Sequence, residues 1–252
     1  VKKGTLGPLG ILSVVRELRP RAGDTRPLVV AGARELVPLL ARELRAGGDP
    51  GAVVEGTAAG AAALVWLGPA DIEVLRAASR DGTPIVAVTA EASVPYVFTS
   101  AVVHVPAGQG LPVDEIARAL ARGLGDGGTS LAARLPVLRE AVCQNLIASF
   151  AKKNAIIAAA VFIPGVDLPA LTLNQLRLVS RIANAYDEQA DSRRAVELLA
   201  VVWAGFGLRA IARQLLDVVP VAGWAVKGGI AYTGTRAVGE AAVRYFEARE
   251  TS

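Results

Sequence analysis

Arg26 to Leu40, "RPLVVAGARELVPLL", runs from an apolar stretch through Gly32 into a helical pattern. A phosphate-binding loop begins in the same way. Its chemistry needs G-x-x-x-x-G-K-[ST], with backbone N-H groups cradling phosphates, a lysine balancing their charge and a hydroxyl on magnesium. With Gly32 as the first glycine, Val37 takes the second glycine's place, Pro38 the lysine's and Leu39 the hydroxyl's. Pro38 has no backbone N-H and Leu39 offers a metal nothing. The expectation is therefore a degenerate phosphate loop, in which the glycine serves a turn between strand and helix.

Other reactive residue types are sparse. Cys143 and His104 are the single cysteine and histidine, so neither an intrachain disulfide nor a Cys/His metal cluster is possible. His104 sits in an apolar strand pattern and reads as structural, and Cys143 reads as a packed thiol. No nucleophile and base, and no carboxylate pair, has a recognised spacing. Neither catalytic residue, metal nor cofactor is expected. Arg177 with Arg181 and Arg209 with Arg213 stand four apart, each pair able to present two guanidinium groups on one helix face. Such pairs grip phosphate or carboxylate, although internal salt bridging is the favoured reading. Arg236, Glu240 and Arg244 have the spacing of intrahelical ion pairs. Trp224 and Lys227 fall in "GWAVKGGIAY", which suits either a membrane interface or a closely packed helix pair. Lys152 and Lys153 beside Phe150 offer a thin anchor for lipid headgroups. Thr172 and Gln175 fit a T-x-x-Q capping box around Asn174, and Asp167, between Pro164-Gly165 and Pro169, is placed to accept from backbone donors of the entry turn.

These residues must be positioned by 252 residues that are 52% hydrophobic, 20% charged and only 5% aromatic, a composition for small-residue cores in two domains. Residues 1 to 128 alternate short apolar runs with helical patterns: strands at Leu28 to Ala31, Ala52 to Val54, Ala63 to Leu67, Pro84 to Val88 and Ala101 to Val105. Helices are expected at Arg34 to Arg45, Asp71 to Ser79 and Pro112 to Leu124. The alternation predicts a doubly wound, mostly parallel α/β sheet. "GDGGTS" at Gly125 to Ser130 is read as the domain boundary, and residues 129 to 252 as an α-helical domain. Its helices are expected at Leu135 to Phe162, from Thr172, at Ser192 to Asp217 and at Ala222 to Glu247.

The net charge of +4 lies wholly in the second part, where 14 Lys and Arg meet 10 Asp and Glu; the first part has 13 of each. So small an excess reads first as ordinary solvation and second as a face for anionic lipid or an acidic partner. Nucleic acid is excluded, since the arginines lack interleaved aromatics. One cysteine fits a reducing cytoplasm.

The order of elements resembles an Era-like or Ras-like GTPase. "GTPIVAV" is similar to the strand before the guanine-reading Asn-Lys-x-Asp, but Thr89, Ala90, Glu91 and Ala92 fill its four places. "FIPGVDLPALTLNQLRLVSRIANAY" and "VVPVAGWAVKGGIAYTGTRAVGEAA" resemble the bacterial domain of unknown function 697 family, a YcjF-like helical domain. That resemblance implies a P-loop GTPase scaffold stripped of its nucleotide motifs, followed by a helical domain with possible contact at the inner face of the cell membrane. The function expected is a non-catalytic interaction or regulatory protein that binds a protein partner or peripherally an anionic membrane. A divergent nucleotide-binding protein or slow GTPase is the alternative.

Overall fold

The computed structural model describes residues 24–105, 110–160, 168–187 and 223–250. They fall into two compact units, one of residues 24–145 with 185–187 and one of residues 146–160, 168–184 and 223–250.

The first unit is built on a five-stranded sheet in the order β2-β1-β3-β4-β5, every neighbouring pair parallel. Its central strands β1 (Leu28–Gly32), β3 (Ala63–Leu67) and β4 (Ile85–Thr89) are apolar runs buried along almost their whole length. Continuous rather than alternating hydrophobicity is what a parallel strand covered on both faces requires. The edge strands β2 (Val53–Glu55) and β5 (Val102–His104) are short and partly exposed. The pleat sends alternate side chains to opposite faces. Val29, Ala31, Leu64, Trp66, Ile85 and Ala87 form one core with Leu75 and Ala78 of α2 (Ile72–Arg80). On the sheet's other side, α1 (Val37–Arg45) and α3 (Val113–Leu124) touch one another. α1 buries Val37, Leu40, Ala41 and Leu44, the i, i+3, i+4, i+7 stripe of a helix on a sheet. Full burial of a leucine contributes about 1.5–3 kcal/mol, so Leu40 and Leu44 are principal anchors of α1.

Gly125 to Ser130 does not open the chain into a linker. Gly125–Gly127 forms a 3-10 turn and leads directly into α4 (Gly128–Arg134), where Gly128 packs against Val142. Arg134 fastens α4 to the amino ends of the strands: Nε donates to Asp49 at 3.0 Å and Nη1 to the Thr25 carbonyl at 2.9 Å. The division between units falls later, after Asn145 and inside α5 (Arg139–Ala160).

The described part of the second unit consists of the remainder of α5, α6 (Leu168–Ala185) and α7 (Gly223–Glu250). α6 begins before Thr172, so the expected capping box at Thr172 and Gln175 is corrected: both lie inside the helix, where backbone amides bond to carbonyls four residues earlier. Pro169 is compatible with the first turn, where a missing N-H costs nothing. Glycines set the approach of the helices. Gly239 of α7 faces Ile147 of α5 and Leu178 of α6, and Gly228 faces the Ala155 carbonyl. Between them lies a buried polar chain. Asn174 Nδ2 donates to Asn154 Oδ1 at 2.9 Å, Asn154 Nδ2 to Thr235 Oγ1 at 2.8 Å, and Thr235 Oγ1 to the Ala231 carbonyl at 2.7 Å. Asn154 and Thr235 are fully buried, so these bonds offset the cost of removing an amide and a hydroxyl from water.

Candidate functional site

In an open parallel sheet the strand order reverses at one point, and the connections leaving the carboxyl ends of the two adjacent strands diverge there to leave a crevice. Here that point lies between β1 and β3. A cavity of about 620 Å³ occupies it, lined by Gly32, Ala33, Trp66, Leu67, Pro69, Ala70, Asp71, Ile72 and Glu73.

The β1 side of the cavity is closed by its own backbone. Gly32 has φ +114°, and a Cβ there would collide with the Leu67 carbonyl. The glycine is needed because β1 and β3 come together at this residue. The next amide, Ala33 N-H, donates to the same Leu67 oxygen at 2.9 Å. Leu36 and Val37 N-H both donate to the Ala33 carbonyl, at 3.0 and 3.1 Å. Pro38 follows with no N-H, Val37 is buried, and Leu39 is exposed with no polar atom on its side chain. Of the donors that a phosphate loop turns toward its ligand, the amides of Ala33, Leu36 and Val37 are engaged within the chain.

On the β3 side, Asp71 caps α2: its Oδ1 accepts from Glu73 N-H at 3.1 Å and Val74 N-H at 3.3 Å. A carboxylate thus sits where the positive end of the helix would otherwise attract an anion. Trp66 turns its indole N-H onto the Pro69 carbonyl at 2.8 Å, presenting an apolar ring to the cavity. Glu73 binds Arg76 Nη1 at 3.0 Å, and Arg76 Nε donates to the Tyr96 hydroxyl at 3.0 Å while its guanidinium lies 5.7 Å from that ring's centroid. The Tyr96 hydroxyl and the Glu73 charge both hold the Arg76 pKa above its ordinary value. Tyr96 has φ 64°, unusual for a bulky side chain. Phe98, two residues on, is 85% exposed.

Of the four residues in the guanine-reading places, Thr89 and Glu91 bond to one another. Thr89 ends β4, is buried, and its Oγ1 accepts from Glu91 N-H at 3.2 Å. His104 is exposed at the end of β5, and Cys143 is fully buried.

The remaining residues singled out in the sequence belong to the second unit or lie outside the described residues. Asn174 belongs to the buried chain that joins α5, α6 and α7. Arg177 and Arg181 lie on α6, the latter with its guanidinium 5.5 Å from the Phe150 ring centroid, while Lys153 Nζ lies 5.1 Å from the same centroid. Trp224 and Lys227 are on α7. Arg236 and Glu240 form the expected i, i+4 pair at 3.0 Å. Asp167, Arg209 and Arg213 lie outside the described residues. Among the described residues no three His, Cys, Asp or Glu side chains converge as metal ligands, and no helix is long and apolar enough to cross a membrane.

Sequence reasoning overlooked the acidic rim of the cavity. Its signal was present as an aspartate directly before an apolar-periodic run, the usual mark of a helix N-cap, but that pattern does not say that a strand reversal lies beside it.

Fold and site together define an α/β protein with a parallel sheet, flanking helices and an acid-rimmed crevice at the strand reversal. No family model, no curated protein and no solved structure matches the chain at a significant level.

Proposed function

We propose that the chain is a non-catalytic interaction or regulatory protein, with a GTPase-shaped sheet domain that has lost nucleotide chemistry and a helical domain that meets a protein partner or an anionic membrane surface. One observation carries the reading. At the turn after β1, the N-H groups of Ala33, Leu36 and Val37 are bonded within the chain and Pro38 has none. A phosphate placed there would find these amides taken and no lysine, and Asp71 and Glu73 on the facing rim would repel it. Function has to be argued from a site, and this site supports recognition rather than phosphoryl transfer.

The resemblance of the second part to the domain of unknown function 697 family adds the membrane arm of the proposal, with Lys152, Lys153 and Lys227 as the described cations nearest to that role. The competing reading, a divergent nucleotide-binding protein, is favoured by the position of the cavity at the strand reversal.

A titration of the whole chain with mant-GDP and mant-GTP in magnesium separates the two. The scaffold reading expects no saturable fluorescence change at micromolar nucleotide, whereas saturable binding that unlabelled GTP competes away would replace it by the nucleotide-binding reading. Flotation with neutral and anionic liposomes then chooses between partners: salt-sensitive flotation on anionic vesicles alone identifies the membrane, and its absence points to protein.

A further inference from the structure

The bonds from Asn154 to Asn174 and Thr235 set the roll of α5 about its axis. Ile156, two residues on, is turned about 200° from Asn154 and so away from both partners. It is 68% exposed, more than any other large aliphatic side chain among the described residues. Lys152 and Lys153 precede it by four and three residues, spacings that place all three on one helix face, and both lysines are exposed. Ala151, Asn154 and Ala158 form the buried face opposite.

Neither lysine has a carboxylate partner among the described residues, and the Lys153 ammonium lies 5.1 Å from the centroid of the buried Phe150 ring. The charge around them is of one sign. Residues 146–160, 168–184 and 223–239 contain Lys152, Lys153, Arg177, Arg181, Lys227 and Arg236 but no aspartate or glutamate. Glu240 is the first acid of α7, and it pairs with Arg236. An anion that approaches these stretches of helix meets no like charge on them.

Lysine rather than arginine beside a bare isoleucine suits one class of anionic surface. An ammonium is a point charge on a flexible stem, so it can follow headgroups that move laterally, whereas the fixed carboxylates of a protein are matched best by a planar guanidinium. An isoleucine on the same convex face reaches the boundary between headgroups and acyl chains. We propose that this face of α5 rests on an anionic bilayer, with Lys152 and Lys153 at the headgroups and Ile156 entering the acyl boundary. The inference rests on the membrane arm of the proposed function and commits it to one surface. Two lysines and one isoleucine make a reversible contact, no stronger than the roughly 10⁴ M⁻¹ of a single myristoyl chain.

The test is flotation of the full chain at millimolar lipid, with vesicles of phosphatidylcholine alone and with phosphatidylglycerol at about a third of the lipid. Flotation is expected only with phosphatidylglycerol, and added salt should reverse it. Lys152→Gln/Lys153→Gln and Ile156→Ser, all at exposed positions, should each lower the partition coefficient about tenfold. Arg34→Gln/Arg118→Gln removes the same charge from exposed positions of the sheet unit and should change it less than about twofold. No flotation, equal flotation on both vesicles, unaltered flotation of the α5 variants, or an equal loss in the sheet-unit variant overturns the inference. Mant-GTP titration of the same samples keeps the readings distinct. A chain that neither floats nor binds nucleotide loses the bilayer inference and keeps the scaffold reading with a protein partner; saturable nucleotide binding removes the scaffold reading whether or not the chain floats.

Discussion

Gly32 and Leu67 meet so closely that a methyl group on the glycine would collide with the leucine carbonyl, and the amide after Gly32 donates to that same oxygen at 2.9 Å. This contact turns a candidate phosphate loop into a strand junction. Two requirements coincide at Gly32, a left-handed backbone at φ +114° and the absence of a side chain, and only glycine meets both.

Gly32→Ala is accordingly expected to destabilise the sheet unit by more than about 3 kcal/mol, through strain and backbone displacement together. Gly47→Ala is the control. That glycine has φ +70° but open space around its Cα, so the loss should be about 1–2 kcal/mol. Urea unfolding of both variants checks this, and equal losses would mean that the Leu67 contact is unimportant.

Acid should loosen the amino-terminal edge of the same sheet. The Gly51 N-H and then the Arg134 guanidinium hold Asp49 below the ordinary aspartate value of 3.8, and the hydrogen bond from Arg26 does the same to Asp24. A carboxyl lowered in the folded state contributes stability that is fully present above 3.8 and is lost as pH falls through the lower folded value. Carboxyl NMR should place both midpoints below 3.8. In Arg134→Gln the Asp49 midpoint should rise part of the way back, leaving the Gly51 contribution; an unmoved midpoint would show that Arg134 does not act on it.

In the helical unit, Asn154→Ala should cost about 2–4 kcal/mol, because it opens a cavity and removes the central member of the chain from Asn174 to Thr235. Pairing it with Asn174→Ala in a double-mutant cycle should reveal coupling of about 1 kcal/mol. Hydrogen exchange in α5, α6 and α7 reads the effect locally. Additive losses would reduce the network to independent contacts.

Gly239→Ala tests helix approach. The new Cβ would lie 2.5 Å from Ile147 Cγ1 and 3.2 Å from Leu178 Cδ2, and a loss of about 1–3 kcal/mol is expected from overpacking. Ile147→Ala empties the offending volume, so the double variant should be more stable than the sum of the single losses predicts. A double variant at or below that sum would mean that Ile147 is not what limits the approach of α7.

Much of the sheet unit was legible in advance. "ALVWL" and "PIVAV" are apolar runs too short for helices, and they form β3 and the body of β4. The alternation of such runs with helical stripes led to a parallel sheet with flanking helices, which the structure contains. Boundaries were less legible where two patterns fit equally well. Thr172 with Gln175 satisfies a capping box, yet α6 starts at Leu168, because a proline at the following position leaves the first turn free to form. Glycines at 125 to 128 suggest a break, yet here they build a 3-10 turn and a packed helix start.

The sequence by itself determined the five strands and the helices α1 to α3 of the sheet unit, and that a phosphate loop's lysine and hydroxyl are missing, since both depend on residue types within a few positions of each other. Only the tertiary structure decided that the Ala33 amide is taken by Leu67, that Asp71 and Glu73 rim the crevice, and that Asn154 finds Thr235, 81 residues away. The physical reason is that a backbone donor or a buried amide has no fixed partner in a local pattern. Its partner is set by strand order and helix approach, which emerge when distant apolar faces are buried together.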